Sequence, residues 1–452
     1  MQTLNVKQLI DEGALTRFHI RVFLCCIISL TFEGYDLVAF GATIPLLLSE
    51  WNMSPAYAGV IASYGFGAAV IGAIIGGALG DKWGRKNTII TSVIIFSLGT
   101  LACALSKDPT TFAFFRTLTG IGMGMTLQNE VGLVSEYFPN KYRQTAVAGV
   151  ATGMQLGGIM SAFAAMWLMI PYGWPSVYYL GALPILLVPV LLKYMPEAPW
   201  LLVAKKRQTD LEAVLKKLRP DVKVTPEDTF EYPKAFDKSS LAKVFADNRA
   251  LSAILFWIVY FMNIFVIWGT NTWIPKLMMD AGHGLGASLW IYMSMYLGAL
   301  VASPIFGQFA DRFGAKKVSV FAYFIGFISI LQLSMPMDIA ATMAVVAIAG
   351  ACNAGAQNLT HAYVAQFFSP NVKSTMMGWG LSIGRIGGLL GPVVGGVLLS
   401  MKVSLFQSFL AFATPCLCSA LAIYFVQDQY SYMNETEAQV ELAAEPTVNK
   451  GL

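Results

Sequence analysis

A handful of ionisable side chains lie inside long apolar stretches of the sequence, where each could carry a proton or bind a charged solute. These side chains belong to Glu33, Asp36, Arg116, Glu130, His361 and Arg385. A charge at the centre of a bilayer costs at least ~2.5–3.5 kcal/mol on insertion scales, so such groups are expected to face one another or a water-filled interior. They are therefore the first candidates for chemistry.

The carboxyl groups of Glu33 and Asp36 share one face of a helix, because the two residues are three positions apart. The helical rise places Asp36 ~12 Å and Arg116 ~8 Å from the same side of the apolar layer. We predict that Asp36 and Arg116 form an ion pair that responds to protons, with Glu33 as a second titratable carboxyl. The alternative is a static ion pair that fixes helix packing.

Arg385 lies ~14 Å from one end of its apolar stretch by the same rise. An anionic solute requires a counter-charge at this depth, and a guanidinium group matches a carboxylate with two parallel hydrogen bonds. We therefore predict that Arg385 binds an anionic solute. The alternative is a structural arginine that bonds to helix carbonyls or to an acidic side chain.

Glu130 and His361 lie at matching depths near one end of their stretches, in QNEVG and LTHAY. Because histidine titrates near neutral pH, the two residues are predicted to form an inner gate or to relay a proton. An interhelical hydrogen bond is the alternative. The sequence places the other two histidines, His19 and His283, in exposed loops.

The elements that position these groups follow from composition. Of 452 residues, 56% are hydrophobic and 12% are charged, and the mean hydropathy is +0.60. In a soluble domain roughly a quarter of the residues are charged. The lower charged fraction and high hydropathy of this chain exclude a disordered chain, a nucleic-acid binder and a two-domain soluble enzyme. The sequence shows no nucleophile–base set, metal-ligand cluster or phosphate-binding loop, so we predict no catalytic residue, no metal and no cofactor.

Helices of ~20 apolar residues can cross a bilayer, and the sequence contains twelve such stretches. We predict an all-α membrane protein with two pseudo-symmetric six-helix bundles, over 22–195 and 250–426. The other parts are an N-terminal segment over 1–21, a central loop over 196–249 with an amphipathic surface helix at 211–218, and an acidic tail over 427–452. The twelve stretches cover about 22–44, 57–79, 87–105, 111–135, 144–168, 176–195, 250–275, 287–310, 317–335, 341–367, 375–399 and 404–426.

Basic residues concentrate in the loops on one side of these stretches. That side carries Lys82, Arg85, Lys86, Lys141, Arg143, Arg312, Lys316, Lys317 and Lys373, whereas the opposite loops carry Lys107, Lys276 and Lys402. The positive-inside rule places the first side in the cytoplasm, together with the central loop and both termini.

Motifs in the loops indicate an internal duplication. The loop GALGDKWGRK at 77–86 recurs as GQFADRFGAKK at 307–317. With RTLTGIGMG at 116–124 and PEAPWL at 196–201, this pattern resembles the motifs of the major facilitator superfamily. FEGYDLVAFGATIPLL at 32–47 and GRIGGLLGP at 384–392 are similar to segments of the aromatic acid:proton symporters, although Glu33 stands where that family often has Asp.

The resemblance implies a secondary transporter that imports a small aromatic carboxylate, of the benzoate, hydroxybenzoate, gentisate or protocatechuate type, by proton symport with alternating access. It also implies a monomer in the lipid bilayer of a bacterial inner membrane. It assigns gating to Asp81, Arg85, Lys86, Glu136, Arg143, Asp311 and Arg312. We expect Asp81 to cap the next helix or to pair with basic residues, with Glu136 and Arg143 as partners. The alternative is that these residues are solvated loop charges.

A ring acid needs a cation, stacking faces and hydrogen-bonding partners. Besides Arg385, the candidates in the central helices are Tyr35, Gln128, Asn271, Asn353, Gln357 and Trp379. Aromatic residues in such helices more often serve packing or interface anchoring. A carrier of another small organic anion or of a sugar, an exporter, and a receptor without transport are the competing functions. The short loops disfavour the receptor.

Overall fold

The computed structural model of the chain describes residues 3–219, 229–232, 244–246 and 248–432. The predicted acidic tail therefore lies mostly outside the described residues. Nearly all described elements are helices. In the first half they are α1 (Val6–Asp11), α2 (Arg17–Glu50), α3 (Pro55–Lys82), α4 (Arg85–Ala104), α5 (Pro109–Tyr137), α6 (Asn140–Ala151), α7 (Gly153–Ala164), α8 (Ile170–Tyr172), α9 (Pro175–Gly181), α10 (Val188–Tyr194), α11 (Pro199–Ala204) and α12 (Gln208–Leu218).

The second half has fewer and longer helices. They are α13 (Ala250–Asp280), α14 (Leu285–Phe313), α15 (Ala315–Gln332), α16 (Ile339–Phe367), α17 (Pro370–Ser400) and α18 (Leu405–Tyr424). By length and composition, 11 helical segments among the described residues could cross a membrane. The predicted spans at 144–168 and 176–195 are each built from several helical pieces.

The helix α5 is too polar to be counted among those segments, yet it is 29 residues long. It packs closely along α3 and α4, which removes its polar side chains from lipid. The close approach depends on glycine: a Cβ at Gly72 would collide with the backbone of Ile121, and one at Gly124 would collide with the backbone of Ala69. Buried in this way, α5 corresponds to the span predicted at 111–135 and completes the set of twelve.

The fifth and sixth spans are interrupted. A π-helical turn at Ala165–Met169 joins α7 to α8, and a 3-10 turn at Leu183–Leu187 joins the segment of α9 to α10. Pro184 lies in the second interruption and Pro189 in the first turn of α10. Proline cannot donate the backbone hydrogen bond that a regular helix requires. The sixth span therefore changes its helical form midway.

The N-terminal segment and the central loop form a small ordered layer. The strands β1 (Thr3–Asn5) and β2 (Thr229–Glu231) pair in parallel, with Thr3 opposite Thr229. Apolar residues of α1 and α12 join one core with the start of α2. That core includes Val6, Ile10, Val22, Leu211, Leu215 and Leu218. The amphipathic helix predicted at 211–218 is present, and its apolar face is buried against this layer.

Contacts divide the chain into two compact units. The first contains Met1–Ala235, Asn271–Tyr296 and Pro392–Met401, and the second contains Phe236–Thr270, Leu297–Gly391 and Lys402–Leu452. The first unit thus takes in one end of α13, of α14 and of α17 in addition to the first-half helices. Each unit is described by itself below.

Candidate functional site

In the first unit, α2 and α5 hold a fully satisfied buried ion pair. Asp36 is 0% exposed and Arg116 4% exposed. The Nη1 of Arg116 donates to Oδ2 of Asp36, and Nη2 donates to the Asp36 carbonyl oxygen at 2.9 Å. The other carboxylate oxygen accepts a hydrogen bond from Oγ1 of Thr100 at 2.8 Å. The ring of Phe40 lies 5.7 Å from the guanidinium carbon. Every charged atom at the contact therefore has a partner.

Three residues from Asp36 on α2 and fourteen residues from Arg116 on α5, a second group of polar side chains has no ion-pair partner among the described residues. Glu33 is 5% exposed and Glu130 is 0% exposed. Both carboxyl oxygens of Glu130, Oε2 of Glu33 and the hydroxyl of Ser29 lack a hydrogen-bond partner among the described residues. The two carboxyl groups interact electrostatically, and Ser29 faces Glu130. Such a site can accept a proton without breaking an ion pair.

The loop between α3 and α4 is held by contacts that differ in part from those predicted. Arg85 pairs with Glu136, with Nε at 2.7 Å and Nη2 at 2.6 Å from Oε1. Arg143 does not join this pair, because it bonds to Asp11 of α1. Asp81 is exposed at the end of α3 and forms no ion pair among the described residues.

A residue that the sequence analysis did not select, Glu197, caps the start of α4. Its Oε1 accepts a hydrogen bond from the backbone N–H of Lys86 at 3.2 Å, and the Lys86 ammonium donates to the Leu192 carbonyl at 2.7 Å. A carboxylate at a helix N-terminus is favourable. Gly84 has a φ of 107°, and a Cβ there would collide with the Glu197 carboxylate. The signal for this residue was the PEAPWL motif, in which Glu197 is the acidic member.

His19 was expected in an exposed loop, and this expectation is wrong. His19 lies in α2, is 2% exposed, and its Nε2 is 3.2 Å from the Tyr137 carbonyl oxygen. Its other ring nitrogen is 3.0 Å from the backbone nitrogen of Thr16. The imidazole therefore fastens the start of α2 to the end of α5. An isolated polar residue beside an apolar run gives no sign of such a long-range partner.

The second unit contains the charged and aromatic candidates of the second half. Arg385 in α17 is half-buried and has no hydrogen-bond or ion-pair partner among the described residues. Gln357 in α16 is likewise half-buried and unbonded within the described part of the chain. One turn along α16, Nδ1 of His361 lies 2.7 Å from the hydroxyl of Tyr260. Within the described part of the chain, the unit thus offers a cation and an amide without partners, and a phenol–imidazole pair.

Other predicted site residues of this unit are engaged in packing or in helix contacts. Trp379 packs against Trp257 with a centroid distance of 6.3 Å. Asn353 accepts a hydrogen bond from the thiol of Cys416 at 3.3 Å. Asp311 has no ion pair in the described part of the chain, and the guanidinium carbon of Arg312 lies 5.7 Å from the centroid of the Phe313 ring.

Three predicted substrate residues lie in the first unit and are already bonded. The Tyr35 hydroxyl donates to the Val177 carbonyl at 2.7 Å, and the ring is fully buried. The amide of Gln128 donates to the Ala73 carbonyl. Asn271 accepts hydrogen bonds from the hydroxyls of Tyr292 and Tyr296. These side chains would have to exchange partners before they could bind a solute.

Comparison with known proteins decides the family. The family model of the Major Facilitator Superfamily matches residues 24–297 and 256–446. The chain belongs to this superfamily. It is a multi-pass membrane transporter rather than an enzyme, with the superfamily fold of two six-helix bundles.

Relatives of this superfamily member carry names of aromatic acid transporters, as the motif resemblance implied. The chain is 36% identical to the benzoate transport protein of Acinetobacter baylyi over 440 residues, which cover 96% of this chain and 94% of that protein. It is 30% identical to the gallate transporter of Pseudomonas putida, with 93% and 94% covered. It is also 30% identical to the 4-hydroxybenzoate transporter PcaK of Pseudomonas putida, with 93% and 95% covered.

Solved structures support the same fold. The xylose transporter XylE from E. coli, in a partially occluded inward-open conformation, superposes with a TM-score of 0.71 at 15% identity, covering 91% of this chain and 100% of that one. A bacterial homolog of the human lysosomal transporter Spinster gives a TM-score of 0.67 at 15% identity, covering 93% and 99%. At this identity the likeness concerns the fold alone.

Proposed function

We propose that this superfamily member imports a small aromatic carboxylate together with protons by alternating access. The observation that carries the proposal is Arg385, a half-buried cation in a membrane helix that has no partner among the described residues. An unpaired charge within a membrane is costly. A carboxylate solute would supply the missing partner through two parallel hydrogen bonds. The names of the benzoate, gallate and 4-hydroxybenzoate transporters support the choice of an aromatic acid.

The ring of the solute would bind near the polar and aromatic side chains of the second unit. The Gln357 amide, which has no partner among the described residues, can bond to a ring hydroxyl, and Trp379 is 46% exposed. Tyr260 and His361 form a polar pair that could exchange its internal hydrogen bond for one to the solute. Tyr35, Gln128, Asn271 and Asn353 are second choices, because each is already bonded in this conformation.

Proton coupling is assigned to the carboxyl groups of the first unit. Glu33 and Glu130 can each bind a proton without losing a partner, whereas protonation of Asp36 would break its bond to Arg116. A proton on either site changes the relative free energies of the transport conformations and so shifts their populations. His361 is the corresponding candidate for a proton in the second unit.

Gating is assigned to the charged loops of the two halves. Arg85 with Glu136, and Lys86 with Glu197, tie α4 to the neighbouring helix ends in this conformation. In other conformations Arg143 would exchange its partner Asp11, and Asp81, Asp311 and Arg312 would form the ion pairs that they lack among the described residues here. We propose bundle limits of 22–195 and 250–426, a bacterial inner membrane, both termini in the cytoplasm, and a monomer.

Uptake into proteoliposomes tests the proposal. Labelled benzoate, 4-hydroxybenzoate, 3-hydroxybenzoate, gentisate and protocatechuate are offered with and without an inward proton gradient. Accumulation of one acid that requires the gradient supports symport and identifies the substrate. If folded protein accumulates none of them, the aromatic acid assignment is wrong, and aliphatic acids and sugars are the next panel. Accumulation driven only by an outward gradient would instead indicate an exporter.

A further inference from the structure

A groove between the first and sixth spans has the features of a lipid site. It has a volume of about 370 Å³ and is lined by Arg21, Leu24, Cys25, Ile28, Leu187, Val190, Leu191 and Tyr194. The four residues of α2 follow each other at helical spacing, and so do the four of the sixth span. Two matched helix faces therefore form the walls, and both belong to the first unit.

The groove exists because the sixth span is not a regular helix. The 3-10 turn at Leu183–Leu187 and Pro189 interrupt it directly beside the groove. Such an interruption bends a helix, so the sixth span cannot follow α2 closely along its whole length. The apolar walls consequently stay open: Leu24 is 47% exposed, Val190 43% and Ile28 40%.

The polar groups of the groove lie at one end only. Arg21 is exposed, one turn into α2, and has no partner among the described residues. Tyr194 is the last residue of α10, and the ammonium of the adjacent Lys193 lies 5.3 Å from the centroid of its ring. Ile28 lies seven residues beyond Arg21, which is ~10 Å deeper along the helix. The groove thus combines a cationic mouth with an apolar channel.

We propose that this groove binds an anionic phospholipid of the cytoplasmic leaflet, with the phosphate on Arg21 and one acyl chain between α2 and α10. The proposal rests on the orientation given under the proposed function. Charge complementarity selects the occupant, because that leaflet is rich in anionic lipid and a guanidinium group matches a phosphate with two hydrogen bonds. Tyrosine and lysine at the mouth are residue types that anchor to the headgroup region.

The site would connect lipid composition with transport. The helix α2 also carries Glu33 and Asp36, which lie five and eight residues beyond Ile28. A lipid wedged between α2 and α10 would stabilise the position of α2 relative to the sixth span in the conformation described. Anionic lipid is therefore expected to stabilise the folded transporter more than neutral lipid does. A lipid that only surrounds the protein would stabilise it without a headgroup preference.

Native mass spectrometry of the intact purified chain tests the proposal. The protein is titrated with phosphatidylglycerol and, separately, with phosphatidylcholine. We expect about fivefold tighter binding of the first phosphatidylglycerol molecule, the ratio that one basic contact of ~1 kcal/mol provides. Arg21→Gln should abolish this preference. Arg17→Gln, a change one turn away at an exposed arginine outside the groove, should leave it intact.

A second variant tests the apolar channel. Leu24→Trp fills the groove and should weaken binding of both lipids, and Val190→Trp replaces it if Leu24→Trp does not fold in a thermal unfolding assay. Equal binding of the two lipids by the unmodified chain, or equal losses in Arg17→Gln and Arg21→Gln, would overturn the proposal. A dimer mass that disappears in Leu24→Trp would instead identify a second copy as the occupant. None of these readouts depends on transport, so they separate this proposal from that of aromatic acid import.

Discussion

The helices α2 and α5 bring together two acidic sites that differ in one respect. At Asp36 the carboxylate has a guanidinium partner and a hydroxyl partner. Glu33 lies three residues from Asp36 on α2, and Glu130 lies fourteen residues from Arg116 on α5. Oε2 of Glu33 and both carboxyl oxygens of Glu130 lack a hydrogen-bond partner among the described residues. Both sites are almost completely buried, so the difference is not one of solvent access.

This difference separates a structural charge from an exchangeable one. A buried ion pair that loses one member leaves an uncompensated charge, which is strongly destabilising. A buried carboxyl without a partner is most stable as the neutral acid, because charging it in apolar surroundings is costly. We therefore expect the Asp36–Arg116 pair to hold the fold and the Glu33–Glu130 site to exchange protons.

The largest expected effect comes from breaking the partnered site. Asp36→Ala leaves Arg116 charged and buried, which should lower the free energy of unfolding by ~3–5 kcal/mol. A thermal unfolding curve in detergent measures the loss. The matched control is Asp36→Ala combined with Arg116→Met, which removes both charges and should recover part of the stability. A double variant that is less stable than either single variant would show that the pair is not the cause.

Removing the exchangeable proton has the next largest effect. Glu130→Gln keeps the size of the side chain and imitates the neutral acid, so stability should change little. A gradient of two pH units can drive ~100-fold accumulation of substrate per proton. In Glu130→Gln the internal substrate concentration should only reach the external one. Exchange of labelled for unlabelled substrate should continue. Glu33→Gln is the paired test of the second carboxyl. Full gradient-driven accumulation in both variants would remove the proton role from this site.

Arg385 extends the comparison from acidic groups to a cation, which has no partner in the described part of the chain. Charge-assisted hydrogen bonds contribute ~1.5–3 kcal/mol, so Arg385→Gln should weaken substrate binding by about 10- to 150-fold. Arg385→Lys keeps the charge but loses the planar guanidinium group. Its substrate affinity should lie between those of the unmodified protein and Arg385→Gln. Binding is measured by calorimetry on the purified protein. Unchanged affinity in Arg385→Gln would place the carboxylate elsewhere.

The sequence was sufficient to predict what depends on depth and periodicity. Counting helical rise placed Asp36 and Arg116 at compatible depths, and the structure pairs them. The repeated loop motif identified the superfamily before any comparison. These features are local, because the regular geometry of a helix turns sequence spacing into depth and facing, whichever helices pack against it.

The remaining parts depend on partners that are distant in the chain. Arg143 was assigned to the Glu136 group and instead bonds to Asp11, 132 positions away. His19 was placed in a loop and instead bonds to the carbonyl of Tyr137. Tyr35 was predicted to bind substrate, and its hydroxyl instead donates a hydrogen bond to the Val177 carbonyl. Helix packing decides these contacts, and no spacing in the sequence encodes which helix ends meet.

The smallest expected effect concerns the ion pair of Asp11 and Arg143, which has the same chemistry as the buried pair but different exposure. Its side chains are 27% and 24% exposed, so water and salt screen the interaction and it should contribute less than ~1 kcal/mol. A double-mutant cycle with Asp11→Asn and Arg143→Gln, followed by thermal unfolding, gives the coupling free energy. Because screening grows with ionic strength, the coupling should shrink further in 1 M salt, where the Debye length is ~3 Å. A coupling as large as that of Asp36 with Arg116 would contradict the view that burial, rather than charge alone, makes the inner pair structural.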